Sequence, residues 1–327
     1  MEPSALASST LPVNVQPMVS VVVVSWNSAG DLPCCLKSIQ AQTYHPLEIL
    51  VVDNGSTDGS LELLKGYPDV IVIRNRRNRG FAAANNQGIA RALGDWVFLL
   101  NADAHLEARC LERLMQRALQ EEGVGSLSPK IYRADGRTLD STGIVLQKRK
   151  FCPADRGEGQ ADAGQFNGAE CEEILGPTAA AALYRKQALG EASRGTEYLD
   201  EDFFAYYEDV DIAWRLRLLR WRSLFVSEAA AYHDRKGPGG KPGWIQRRAY
   251  ANRYFCYVKN EIPQAIRFYA LRAAPRELIR TVLVVFRHPS MLAALAWTLY
   301  KLPAMLRKRK WIQALRQVSV EEMRRFE

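Results

Sequence analysis

Residues 19–24 read Val-Ser-Val-Val-Val-Val, an apolar run without the strict alternation of a half-buried strand. Such a run predicts a strand covered on both faces, as in the middle of a largely parallel sheet. A helical pattern follows over 31–40, and a second apolar run, 47–52, stops at Asp53-Asn54-Gly55-Ser56. Strand, helix and parallel strand make a βαβ unit. The alternation continues with a helix near 58–65, a strand at 70–74, a helix around 82–93 and a strand at 96–100. Four parallel strands in so short a stretch predict an α/β core built on one sheet.

Past residue 130 the pattern thins. Residues 147–173 are rich in Gly, Ala, Asp and Gln, which predicts a long, mobile surface loop. Order is expected again over 178–185, in a helix over 208–219 and in a short strand at 223–226. The chain then breaks at Gly237-Pro238-Gly239-Gly240. From Trp244 onward the segments are helical in period. The expected division is a disordered leader over 1–17, a main α/β domain over 18–240 and a helical extension over 241–327.

Charge sharpens that division. The chain has 327 residues, 47% hydrophobic and 24% charged, the profile of an ordinary globular protein. Its net charge of +8 is unevenly spread: residues 241–327 hold 18 Lys and Arg against 5 Asp and Glu, whereas residues 1–240 hold 26 against 31. A uniformly basic nucleic-acid-binding body is therefore excluded, and no nucleic-acid partner is expected. In the extension, apolar blocks at 278–286 and 291–300 alternate with Arg280, Arg287 and the run Arg307-Lys308-Arg309-Lys310. Helices of that kind suit the surface of an anionic bilayer; the competing reading is that they pack on the main domain. Block 291–300 is well short of the roughly 20 residues that span a bilayer. The six cysteines show neither a CxxC pair nor zinc-ligand spacing, and the first 17 residues lack a signal-peptide pattern. The expected location is cytoplasmic, peripheral on the membrane, with reduced thiols.

Candidate chemistry gathers at strand ends, where open parallel sheets bind ligands. The first strand ends in Ser25-Trp26-Asn27, the second in Asp53-Asn54-Gly55-Ser56, the third junction carries Asn78-Arg79-Gly80, and the fourth strand ends in Asn101-Ala102-Asp103. Asp53 and its neighbours also suit a turn with a helix cap. Asp103 suits either a helix cap or a hard divalent cation, for which one or two carboxylates suffice beside phosphate and water. The densest acidic cluster, Asp200-Glu201-Asp202, is followed by Phe203-Phe204-Ala205-Tyr206-Tyr207 and then Glu208-Asp209-Val210-Asp211. An apolar wall raises a carboxylate's pKa toward that of a general base, which points to Asp209; the competing reading is that Glu208 and Asp209 complement the positive end of the helix dipole. Asp211 is expected to pair with Arg215 one turn on. His233, beside Arg235, Lys236 and the Gly-rich break, is a candidate for contacting a metal-bound diphosphate.

These motifs, in this order, resemble glycosyltransferase family 2, whose fold is called GT-A, and within it bacterial rhamnosyltransferases that act on lipid-linked polysaccharide precursors. The segments that carry the resemblance are 22–27, 51–58, 78–82, 100–103 and 203–211, together spanning about residues 18–236, and 250–310 is similar to that subgroup's helical extension. The resemblance implies a mostly parallel, Rossmann-like sheet. It implies that Ser25, Asn27, Asp53, Asn78, Arg79, Gly80, Asn101 and Asp103 line the donor site, with Asp53 on the nucleotide base. Asp103 becomes the metal-binding aspartate, with Asn101 where many members have a first Asp, His233 a further metal or diphosphate contact, and Asp209 or Glu208 the base. The implied activity is inverting, Mg²⁺- or Mn²⁺-dependent transfer of a sugar, with dTDP-rhamnose favoured as donor, to a lipid-linked saccharide in cell-surface polysaccharide synthesis.

Two other enzyme classes lack their signatures. A nicotinamide-dependent dehydrogenase needs Gly-x-Gly-x-x-Gly after the first strand, where this chain has Ser25-Trp26-Asn27-Ser28-Ala29-Gly30. A sugar nucleotidyltransferase, the alternative enzyme, ordinarily shows a Gly-rich basic loop there. A non-enzymatic membrane-surface binder would leave the carboxylates unexplained.

Overall fold

A computed structural model describes residues 16–147, 152–168, 172–235 and 243–326. Its elements run in order as β1 (Val19–Ser25), α1 (Leu32–Gln40), β2 (Leu47–Asp53), α2 (Ser60–Leu64), β3 (Val70–Arg74), α3 (Phe81–Arg91) and β4 (Trp96–Asn101). Then come β5 (Ala104–Leu106), α4 (Cys110–Gln120), β6 (Val124–Arg133), β7 (Leu139–Ser141), β8 (Ile144–Gln147), β9 (Cys152–Asp155), β10 (Glu172–Glu173), β11 (Ala181–Arg185) and α5 (Lys186–Glu191). The chain closes with α6 (Glu208–Leu218), β12 (Arg222–His233), α7 (Gly243–Asn260), α8 (Pro263–Arg287), α9 (Leu292–Leu315) and α10 (Val320–Arg324).

One sheet organises the molecule, in the order β10-β12-β6-β11-β4-β1-β2-β3. The four strands expected from the sequence, β4, β1, β2 and β3, are neighbours and parallel. β11 enters antiparallel between β4 and β6, so parallel pairing is interrupted there and resumes between β6 and β12. The valine run is explained by two cores. Val19, Val21 and Val23 face one with α1 and α4, while Val22 faces another with Leu50, Leu99 and Ile89 of α3.

Three expectations change. Residues 223–226 belong to a strand that continues to His233, because an irregularity in its pairing with β6 between Val226 and Ala230 interrupts the apolar alternation. His233 therefore ends a strand rather than following one. The described parts of 147–173 are not an unanchored loop. β9 pairs with β8, and the buried Lys130 holds Asp162 at 3.0 Å, a charge pair that no apolar period announces.

The third concerns the extension. α7 and α9 close a core with the main domain, in which Phe255, Cys256 and Tyr257 of α7 and Met305 and Ile312 of α9 meet Phe203, Val210 and Trp214. Several cations of the extension point inward rather than toward a surface. Lys308 reaches Asp200, Glu197 and Asp202, and Lys301 reaches Asp202 at 2.7 Å. The outer face of α8 is different: Leu278, Ile279, Val282, Leu283 and Phe286 are all exposed. Among the described residues no helix is long and apolar enough to cross a membrane. The expected leader, 1–17, lies almost wholly outside the described residues, as does Lys236.

Candidate active site

β1, β2 and β4 end side by side. Ser25 is in register with Asp53, and Val24 with Asn101, so the strand-end residues share one edge, with strands spaced by about 4.8 Å. The chain winds outward from β1 to β2 and β3, then returns to the other side of β1 as β4. The crevice at such a switch point is the ligand site of open α/β sheets. Ser25 and Asp53 are fully buried, and Ser25 Oγ and Asp53 Oδ1 have no protein hydrogen-bond partner. Asp53 Oδ2 accepts from the amides of Gly55 and Ser56, each at 3.3 Å. Leaving a buried acceptor unmatched costs about 1–3 kcal/mol, which a ligand donor at Asp53 would recover.

The rim of this crevice is tied together by Asn54. Its Nδ2 donates to Asn78 Oδ1 at 3.0 Å and to the Gly80 carbonyl at 3.2 Å, and its Oδ1 accepts from the Arg79 amide at 3.0 Å. Asn78 Oδ1 also accepts from the Gly80 amide at 2.8 Å, and Asn27 Oδ1 accepts from the Thr57 amide at 2.8 Å. Asn27 and Asn78 thus shape the rim with their side-chain oxygens, and Arg79 stands exposed on it. Gly80, at φ +92°, leaves room for Phe204, whose ring a Cβ would meet at 2.7 Å. The Ala82 amide donates to the Phe204 carbonyl at 3.2 Å, so the aromatic run docks on the same edge as the strand ends.

Next to β4 stands a second constellation. His233 Nε2 lies 3.3 Å from Asp103 Oδ1 and 3.3 Å from Asn101 Nδ2. Its Nδ1 is 2.8 Å from Asp140 of β7, a fully buried carboxylate that Arg235 also meets at 2.8 Å. Burial opposes a charge on His233, but Asp103 and Asp140 outweigh it and raise its pKa to about 9. Asp140 fixes the ring so that Nε2 faces Asp103, the arrangement by which an outer carboxylate orients a metal-ligating histidine. Asp155, held by Arg235 at 3.1 Å, is pushed up to about 7 by burial first and by the Asp209 carboxylate second.

The donor set fits Mg²⁺ or Mn²⁺. Asp103 offers a carboxylate, His233 an imidazole once a cation displaces the proton that Asp103 and Asp140 favour on it, and Asn101 an amide whose Oδ1 is buried without a protein hydrogen-bond partner. Among the described residues no cluster of three or more His, Cys, Asp or Glu could hold a metal. A cation here would therefore take its remaining ligands from phosphate and water, as Mg²⁺-type ions do in phosphate-handling sites.

Asp209 is seated beside this constellation. Its Oδ2 accepts from Thr178 Oγ1 at 3.1 Å and from the Ala179 amide at 3.2 Å. The carbonyl of the next residue, Ala180, accepts from the Asn101 amide at 3.0 Å. Burial raises the Asp209 pKa against the pull of these donors. Glu208 is more deeply enclosed, its Oε2 has no protein hydrogen-bond partner, and burial together with the Asp209 charge lifts its pKa well above the carboxylate range. Asp211 faces away and meets Arg215 Nε at 3.0 Å, the expected i,i+4 pair.

The segment leading into α6 is strained. Phe204, Tyr206 and Tyr207 all have positive φ, between 64° and 71°, conformations that non-glycine residues adopt at a cost of about 1–3 kcal/mol each. Asn252 of α7 holds them: its Nδ2 lies 2.8, 3.0 and 2.9 Å from the carbonyls of Phe203, Ala205 and Tyr206. Asp140, Asp155, Thr178 and Asn252 carry no motif in the sequence. None lies at an end of the four expected strands or in the acidic cluster. Asp140 alone answers to a chemical cue, since an oriented histidine needs an acceptor behind it.

Comparison with known proteins gives the family and the fold. A family model described as Glycosyl transferase family 2 matches residues 20–190. An N-acetylglucosaminyl-diphospho-decaprenol L-rhamnosyltransferase of Mycobacterium tuberculosis is 28% identical over 250 residues, covering 68% of this chain and 78% of that protein. Among solved structures, TarS 1–349 of S. aureus in complex with UDP superposes with a TM-score of 0.57 at 17% identity, over 95% of this chain and 92% of that one. The mannosyltransferase PcManGT of Pyrobaculum calidifontis, in complex with GDP-Man and Mn²⁺, gives 0.52 at 19% identity, over 92% and 85%. At these identities the structural likeness speaks for the fold, which is that of GT-A glycosyltransferases.

Proposed function

Since this chain belongs to glycosyl transferase family 2, we propose that it is an inverting transferase that moves L-rhamnose from dTDP-rhamnose to a hydroxyl of a lipid-linked glycan in cell-surface polysaccharide synthesis. The observation that carries this reading is the joining of Asp209 to the Asp103–His233–Asn101 group through residues 178–180. A base and a diphosphate-handling group then face one crevice. The rhamnosyl specificity and the lipid-linked acceptor draw support from the mycobacterial relative.

In this reading Asp53 accepts a hydrogen bond from the nucleotide base, and Ser25, Asn27, Asn78, Arg79 and Gly80 form the walls around nucleotide and diphosphate. Asp103, His233 and Asn101 would hold Mg²⁺ or Mn²⁺, which supplies charge neutralisation for the departing diphosphate. Arg79, exposed on the rim, adds to that neutralisation. Asp209 takes the proton of the acceptor hydroxyl as its oxygen attacks the anomeric carbon from the side opposite the leaving group. One displacement inverts the configuration. Glu208, more deeply enclosed than Asp209 and with its pKa raised by burial and by the Asp209 charge, supports Asp209 as a neighbour and not as the base.

The exposed apolar face of α8, flanked by Arg276, Arg280 and Arg287, rests on the cytoplasmic surface of an anionic membrane. The deciding experiment is transfer from a panel of nucleotide sugars with Mn²⁺ or Mg²⁺ to a polyprenyl-diphosphate N-acetylglucosamine acceptor, with the product anomer read by NMR. Inverted product from dTDP-rhamnose is expected. Preference for a UDP-hexose, or a retained configuration, would overturn the reading.

A further inference from the structure

A cavity of about 450 Å³ lies between α7, the C-terminal part of α8 and the turn that leads into α9. That size is in the range of small-molecule sites. Tyr207, Tyr250, Arg253, Arg280, His288 and Met291 are among its lining residues, and none of the lining residues is a carboxylate. None of the strand-end residues lines the cavity, but Tyr207 does, and it precedes Glu208 and Asp209 in the chain.

Its cations are placed rather than scattered. Arg253 is buried, with its guanidinium stacked on Tyr254 at 4.5 Å and Tyr250 at 5.1 Å, and Nη2 held by Glu277 at 2.8 Å. Arg280 reaches the same carboxylate at 3.5 Å from a side chain that is 43% exposed. Two guanidiniums thus share one carboxylate, and His288, in the turn after α8, is a further lining residue. Arginine forks are suited to bidentate recognition of phosphate oxygens. The same helix that carries Arg280 turns Leu278, Ile279, Val282, Leu283 and Phe286 outward, so a cationic pocket and an apolar strip meet along α8. The ligand chemistry that matches both is an amphiphile with an anionic phosphate head and a long apolar tail.

We propose that this cavity is the acceptor subsite, in which Arg253 and Arg280 bind the diphosphate of a polyprenyl-diphosphate glycan, the polyprenyl chain lies along α8, and the sugar extends past Tyr207 to Asp209. The proposal deepens the function above and rests on its lipid-linked acceptor. It divides the two diphosphates of the reaction between two places: that of the donor at the strand ends, that of the acceptor between α7 and α8.

Binding of farnesyl diphosphate to the full-length protein tests this without requiring turnover. The wild type is expected to bind farnesyl diphosphate at least tenfold more tightly than farnesol and more tightly than inorganic pyrophosphate. Arg280→Met, at a half-exposed position, is expected to weaken that binding about tenfold while the Kd for dTDP stays the same, which also reports an intact fold. His288→Asn, a second mild variant, is expected to weaken it less. The subsite is overturned if the wild type does not bind farnesyl diphosphate, if Arg280→Met binds it as tightly as wild type, or if pyrophosphate or farnesol binds equally well. Failure of the transferase reading itself would show separately, as absence of sugar transfer from every nucleotide donor.

Discussion

The ammonium of Lys259, near the end of α7, lies 2.8 Å from the carboxylate of Asp211 in α6, and both side chains are buried. Asp211 is also held by Arg215 and by Asn260 Nδ2 at 2.9 Å, and Lys259 meets Asp200 as well. Burial pushes the Asp211 carboxyl up, but Lys259 and Arg215 outweigh it and hold it below the usual range. The base-carrying helix α6 is thus clamped from behind by the C-terminal extension.

Lys259→Met would leave two buried carboxylates short of a counter-charge. Loss of one partner of a buried pair costs about 3–5 kcal/mol, so the urea midpoint should fall steeply. With folded pKa values depressed, the contribution of Asp200 and Asp211 is complete above the ordinary aspartate value and is lost only as pH drops below it. Acid unfolding of the wild type should accordingly begin below about pH 4, and that of Lys259→Met at higher pH.

Asn252→Leu should act on catalysis more than on donor binding. Without the amide that holds the carbonyls of Phe203, Ala205 and Tyr206, the strained segment relaxes and Asp209 moves. A displacement of about 1 Å costs on the order of 100-fold in rate. Steady-state kinetics should show kcat reduced with the donor KM little changed; an equal rise in donor KM would count against this role.

Asp209→Asn should lower transfer by about 10²–10⁴-fold, the usual worth of general-base catalysis, while nucleotide binding persists. Glu208→Gln, which keeps the side chain's size at a position assigned no proton transfer, should keep most of the activity. Because burial raises the Asp209 pKa, the acid limb of the kcat profile should lie above the ordinary aspartate range. Near-normal turnover in Asp209→Asn would remove it from the role of base.

Asp140→Asn should weaken Mn²⁺ binding about 10–100-fold, the typical effect of removing an outer carboxylate behind a ligating histidine. Calorimetric titration with Mn²⁺ in the presence of dTDP measures it directly. Unchanged affinity would make the Asp140–His233 pair structural.

On α8, Ile279→Asp with Phe286→Asp places two carboxylates on an exposed apolar face. Flotation with phosphatidylserine-containing vesicles should fall several-fold, with transfer to a water-soluble acceptor retained. Equal flotation of variant and wild type would assign that face elsewhere.

The sequence by itself determined the half of the sheet that is built from local pattern. The valine run of β1, the 47–53 strand and the strand ending at Asn101 need only period and length to be read, and their polar ends follow because strand ends are local. It also placed Asp103, His233 and Asp209 on a list of candidates, and it paired Asp211 with Arg215, which is one helical turn away. The tertiary structure decided what joins them. His233 and Asp140 are 93 positions apart, Asn252 reaches carbonyls 46 to 49 positions back, and Lys259 and Lys308 are spent inside the molecule on Asp200. Composition counts such cations as surplus positive charge; folding neutralises them against an acidic cluster, and leaves the outer face of α8 as the apolar, arginine-flanked surface. Period and spacing carry no information about partners that far along the chain, because only the closing of the sheet and the docking of α7 and α9 bring those groups within hydrogen-bond reach.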